Sequence, residues 1–137
     1  MELEHLAKRI VEFYEKLSSW ENAVVRGSGL TTPQAHTIEI VGHAGAIKMK
    51  DLAKKIGVTT GTLTVGIDRL EKKNLLQRRP HDTDRRSYLI ELTPEGQRCF
   101  EEHHAAHVNM TRDILEGLDK EEQEYFARIL EKMMDRM

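Results

Sequence analysis

Two groups of side chains in this 137-residue chain have types and spacings that suit chemistry. The first is Thr59, Thr60, Thr62, Thr64 and Arg69, followed by the adjacent pair Arg85 and Arg86. A threonine offers a hydroxyl to a base edge or a phosphate, and a methyl to thymine. Arginines at a projecting loop tip suit a narrow, electronegative minor groove. Set against this, Thr59 or Thr60 can simply cap a helix, and Arg85 and Arg86 can form a solvated charged turn. The second group is Glu101-Glu102-His103-His104-Ala105-Ala106-His107. On a helix, His103 and His107 lie one turn apart on one face, so both imidazoles reach a single ion. Their stripe also carries Cys99 and Met110, which predicts partial burial, and a buried imidazole needs a partner. A bland core edge and a small organic effector in the same crevice remain open readings, and His104 and His43 read as surface residues.

The elements that must position these groups follow from periodicity. Leu63, Ile67 and Leu70 fall on one face of a helix opening at Thr59-Thr60, leaving Thr60, Thr62, Thr64, Val65 and Arg69 on the other. A short helix over about Lys50 to Ile56 precedes it and stops at Gly57. Leu75 to Arg79 and Tyr88 to Leu92 read as two strands joined by the polar loop from Pro80 to Arg86, a hairpin with a long tip. Helix, tight turn, helix and hairpin is the order of a winged helix-turn-helix, whose second helix enters the major groove. Thr32 with Pro33 predicts a helix start, and Thr93-Pro94 repeats the signal ahead of a long helix broken near Gly117. At the ends, Leu3, Leu6, Ile10, Phe13, Leu17 and Trp20 form one stripe, predicted to stop before Arg26. Phe126, Ile129, Leu130, Met133 and Met137 form another. These stripes can pack on their own core, on each other or on a second subunit, and a homodimer is the favoured expectation.

Charge sharpens the picture. From Lys48 to Arg86 there are eleven basic residues against five acidic ones, and the remainder holds ten against eighteen. A basic middle between acidic flanks suits a polyanionic partner. No apolar run approaches the roughly 18–20 residues of a membrane span, and Met1 to His5 lack a signal-peptide layout. The single Cys99 cannot form an intrachain disulfide and reads as a core thiol. A cytoplasmic protein without membrane association is the expectation. Nucleophile elbow, phosphate loop, dinucleotide fingerprint and His-Glu-x-x-His motif are all missing, so an enzyme is not expected.

With these residues in view, the chain resembles the MarR family of regulators. The resemblance rests on Asp51-Leu-Ala-Lys-Lys-Ile-Gly57, on Leu63 to Leu76, on Asp82-Thr-Asp-Arg-Arg86 and on Leu92-Thr-Pro-Glu-Gly96. Asn74-Leu75 stands where the family commonly has glycine-leucine, which a left-handed asparagine accommodates. The resemblance implies a mainly α fold in one domain over 1–137. Residues 30–96 would form the DNA-binding winged helix, with 1–25 and 97–137 as dimerisation arms. It implies a homodimer on a pseudo-palindromic operator of double-stranded DNA, controlled by a metal or small-molecule effector. The Glu-Glu-His-His run and Gln34-Ala35-His36 are also similar to the zinc-sensing, adhesin-competence repressor branch. By that likeness His36, His103 and His107 share one Zn²⁺, with Glu21 the candidate fourth ligand. The branch's second site is broken here, because Ala35 replaces a glutamate and no cysteine precedes the second helix. The alternative is a winged-helix protein-interaction or metal-binding module that does not bind DNA.

Overall fold

A computed structural model describes residues 1–84 and 86–137. It divides into two compact units, Met1–His103 and His104–Met137. In the first, α1 (Leu3–Ser28) and α2 (Thr32–Ala44) precede a three-residue strand, β1 (Ala46–Lys48). Helices α3 (Met49–Ile56) and α4 (Thr60–Lys72) come next, then strands β2 (Leu76–Pro80) and β3 (Tyr88–Leu92). Helix α5 (Pro94–Leu115) starts in this unit and ends in the second, which also holds α6 (Lys120–Met134).

The core of the first unit is apolar and shared by every central element. Ile38 and Val41 of α2 meet Ile47 of β1, Leu52 of α3, Leu63, Ile67 and Leu70 of α4, and Leu76 and Ile90 of the hairpin. Full burial of each such aliphatic side chain stabilises by about 1.5–3 kcal/mol. The α4 face bearing Leu63, Ile67 and Leu70 is therefore fixed inward, and Thr60, Thr62, Thr64, Val65 and Arg69 are exposed. The sheet runs in the order β1-β3-β2 and is antiparallel throughout. Ile47 pairs with Ile90 across β1 and β3, and Gln77 with Glu91 across β2 and β3.

Three local features differ from the sequence expectation. Helix α1 continues through Arg26 to Ser28, because the Ser28 hydroxyl donates to the Val25 carbonyl and Gly29 closes the helix in the left-handed region (φ 77°). Thr31, not Thr32, caps α2. Its hydroxyl oxygen accepts the Gln34 N–H while the Gln34 side chain accepts the Thr31 N–H, a reciprocal pair that moves Pro33 to the second helical position. Strand β1 is an unanticipated third strand, stabilised by pairing with β3, far away in sequence.

The start of α5 is clasped to the root of the hairpin. The Thr93 hydroxyl donates to the Asn74 carbonyl (2.6 Å) and accepts the Gly96 N–H (3.0 Å). Asn74 adopts φ 60°, the left-handed conformation expected of it. A Cβ at Gly96 would lie 1.9 Å from the Leu75 carbonyl oxygen, so no other residue fits there without displacing backbone. At the α2–α5 contact, the ring of Phe100 occupies the space a Gly42 side chain would need.

In the second unit, Asp119 and Glu122 form a capping box at the start of α6, and Gln123 donates to the carbonyls of Leu115 and Leu118. None of the α6 residues is buried, and Phe126, Ile129, Leu130 and Met133 are each at least 40% exposed. In the first unit, Leu6, Ile10 and Phe13 of α1 are 43–48% exposed. No helix is long and apolar enough to cross a membrane among the described residues.

Candidate functional site

Helix α4 is set by its own threonines. The Thr59 hydroxyl oxygen accepts the Thr62 N–H (3.2 Å), so Thr59 is the cap. The same hydroxyl donates to Thr62 Oγ1 (3.1 Å), and the Thr64 hydroxyl donates to the Thr60 carbonyl (2.8 Å). With its proton turned back into the helix, Thr64 presents lone pairs outward, ready to accept from a base amino group. The exposed face of α4 divides between two concavities. Thr60 and Thr64 line a groove of about 760 Å³, completed by Lys48 and Lys50 beside them and by Arg86 and Tyr88 from the hairpin. Thr62, Val65 and Arg69 instead line a cavity of about 710 Å³, whose other wall includes Thr32, Pro33 and His36.

The hairpin is braced so that its tip projects. At its stem, Arg78 is bound into α4 by ion pairs to Asp68 (2.5 Å) and Glu71 (3.0 Å). On the outer face Gln77 donates to Glu91 (2.8 Å), and Arg79 pairs with Glu91 (3.2 Å). The Gln77 hydrogen bond first, then Arg79, holds the Glu91 carboxyl below its ordinary range. In the loop, the Asp84 carboxylate accepts the Arg86 N–H and the Ser87 hydroxyl, each at 3.0 Å. Those two bonds keep its pKa low. Asp84 therefore braces the loop through backbone and hydroxyl groups. Arg85 lies outside the described residues; Arg86 faces the groove. With Arg78 committed to its carboxylates, the groove's positive charge comes from Lys48, Lys50 and Arg86. The lysines carry no apolar periodicity or motif; only their place in the basic middle of the chain signals them.

A second constellation sits where α1, α2 and the start of α5 meet. His103 Nε2 lies 2.7 Å from Glu21 Oε1, and its Nδ1 lies 3.8 Å from Glu39 Oε2. The other Glu39 oxygen, Oε1, is 3.1 Å from His43 Nε2. The His103 side chain is 12% exposed, against 26% for Glu21 and 20% for Glu39. Glu39 Oε2 is buried and accepts no hydrogen bond among the described residues. Within the first unit, the structure brings together two of the sequence-derived candidates, Glu21 and His103. His36 is exposed on the side of α2 that faces α4, and His107, one turn beyond His103 on α5, is half-buried in the second unit.

Glu39 was missed by sequence reasoning. Its signal is a lone charge between Ile38 and Ile40, on the same face of α2 as Ala35, which lines a cavity with Cys99 and His103. His43 is exposed, as expected of a surface residue, yet it packs edge-on against Phe100 with ring centroids 5.1 Å apart. Burial first, then the Glu102 charge, pushes the Cys99 thiol up, away from the thiolate that a redox sensor needs.

Comparison with known proteins agrees with this architecture. Residues 30–88 match the model of the MarR family. The HTH-type transcriptional repressor MdtR of Bacillus subtilis is 32% identical over 105 residues, covering 77% of this chain and 68% of MdtR. The HTH-type transcriptional repressor YetL of the same organism is 32% identical over 87 residues, 64% of this chain, and the chain spans only 52% of the length of YetL. Among solved structures, Streptococcus pneumoniae FabT in complex with DNA superposes with a TM-score of 0.88 at 23% identity, over 98% of this chain and 96% of FabT. With the helix-turn-helix, the braced hairpin and the flanking long helices all in place, this chain belongs to the MarR family.

Proposed function

We propose that the chain is a homodimeric, sequence-specific DNA-binding transcriptional regulator, with α4 in the major groove and the hairpin tip in the adjacent minor groove. The observation that carries this reading is the groove itself. Thr60 and Thr64 present hydroxyls on a helix whose opposite face is locked into the core, and Lys48, Lys50 and Arg86 ring them with charge. The relatives MdtR and YetL are named as repressors, and FabT was crystallised on DNA. The family's regulators are not enzymes, and neither is this chain. The exposed apolar stripes on α1 and α6 support pairing with a second copy. Obligate homodimer interfaces bury about 2,000–5,000 Å² and are rich in such residues.

The effector in this reading is a divalent metal ion, Zn²⁺ by donor chemistry. The residues fit it: an imidazole nitrogen and a carboxylate oxygen already converge at 2.7 Å in a half-buried setting. His103 Nε2 and Glu21 would hold the ion, with His107 within reach by its helical spacing. Bound there, Zn²⁺ would act as a structural cross-link between α1 and α5, favouring one dimer geometry by differential affinity. Titrating the neighbouring promoter DNA with and without Zn²⁺ and a chelator tests both halves. Nanomolar binding that weakens steeply with salt and shifts with zinc is expected. Binding that ignores Arg86→Ala across a salt series would instead fit a winged-helix module that contacts proteins. DNA binding indifferent to zinc and chelator would remove the metal from the account.

A further inference from the structure

We infer that Glu39 is a positioning residue for the metal centre: it accepts the Nδ1 proton of His103, so that the lone pair of Nε2 is turned toward the ion. The inference rests on the metal reading above and specifies what tunes that site. An imidazole gives one nitrogen to an ion and usually donates the other N–H to a carboxylate or carbonyl, which fixes tautomer and ring orientation. His103 has a carboxylate at each nitrogen. Glu21 stands at Nε2, 2.7 Å away, on the ligand side. Glu39 stands at Nδ1, 3.8 Å away, on the opposite edge of the ring. One nitrogen cannot serve both, so the two glutamates have different roles.

Two observations and one chemical requirement put Glu39 in the outer one. Its Oε2 is buried and accepts no hydrogen bond among the described residues, a costly condition that a proton on Nδ1 would relieve. A separation of 3.8 Å is too long for a hydrogen bond, but closing it needs a shift of only about 1 Å. Metal on Nε2 obliges the neutral ring to carry its proton on Nδ1, which supplies the missing donor. The other oxygen, Oε1, is held by His43 at 3.1 Å, so the carboxylate is already oriented. The Phe100 ring packed over Gly42 sets the α2–α5 spacing one turn away.

The test uses the full-length protein and its Glu39→Ala and Glu39→Gln variants, titrated with Co²⁺ and, in competition with a chelator, with Zn²⁺. Zinc affinity should fall about 10–100-fold in Glu39→Ala, with the shape and intensity of the Co²⁺ visible absorption unchanged because the ligands are the same. Glu39→Gln should recover part of the loss, since its amide oxygen still accepts from Nδ1, and it carries the test if the alanine variant melts early. Long-range ¹H–¹⁵N spectra of the metal-bound wild type should show the proton on Nδ1 of His103. Unchanged zinc affinity in Glu39→Ala overturns the inference. Altered Co²⁺ absorption in either variant overturns it too, by making Glu39 a ligand. A wild-type protein that takes up neither metal removes the parent reading, and this inference with it.

Discussion

The groove beside α4 and the cluster around His103 are built on opposite principles. In the groove, the chemical groups point to solvent and the order lies beneath them: Leu63, Ile67 and Leu70 anchor the helix, and Asp68 and Glu71 hold the hairpin stem through Arg78. In the proposed DNA contact its cations would need only to lie near phosphates, because counterion release is tolerant of geometry. In the cluster, the groups face one another, half-buried, and each distance matters. Glu21, His103 and Glu39 form a chain across three helices, with exposed His43 at its outer end, and loss of His103 leaves two partly buried carboxylates without their neighbour. A surface site is thus robust to small shifts. An interior polar relay is not.

Perturbations should separate the two regions, beginning with the strongest. His103→Ala removes the central member of the relay; isothermal titration should show zinc uptake lost, while metal-free DNA affinity measured by fluorescence anisotropy stays near wild type. A variant that loses both would show that the regions are not independent. The reciprocal pair Lys48→Ala and Lys50→Ala should lower the slope of log affinity against log salt by about 1 per lysine and leave zinc uptake intact. An intermediate effect is expected from Gly42→Ala. A Cβ there would meet the Phe100 ring at 2.2–2.5 Å, so thermal melting should show a loss of about 1–3 kcal/mol, with groove residues unshifted in NMR spectra. The smallest effect concerns acid. The Asp84 carboxyl sits below its ordinary 3.8 through its bonds to the Arg86 N–H and Ser87 hydroxyl. The brace is therefore complete above that value and lost only as pH falls through the lower folded-state pKa. The Arg86 amide resonance should hold its position down to the ordinary carboxylate range and move below it. Movement near neutral pH would assign the brace to another group.

The same contrast explains what could be read in the residues beforehand. The exposed threonine face is the complement of an apolar stripe, and a stripe is a local property; so are the turn at Gly57, the left-handed Asn74 and the Thr93-Pro94 start. Strand β1 is too short to show alternation and exists because β3 pairs with it. The end of α1 depended on a Ser28 side chain returning to its own helix, and the α2 cap on a reciprocal bond between Thr31 and Gln34. Glu39 escaped for the same reason as β1. Its partner His103 lies on another helix, and a single charge in the apolar run from Ile38 to Val41 says that something must answer it without saying what. His36, chosen by motif, faces the α4 side of α2 because a neighbouring position along a helix turns by about 100°.

The clasp at the foot of the hairpin has a mechanical corollary. Thr93 and Gly96 fasten the base of the arginine-bearing arm to the same rod that carries His103, about 15 Å away at helical rise. Because Gly96 has no room for a side chain against Leu75, that joint has no slack. The hairpin root and the first turn of α5 are therefore held as one piece, with little freedom to shift against each other.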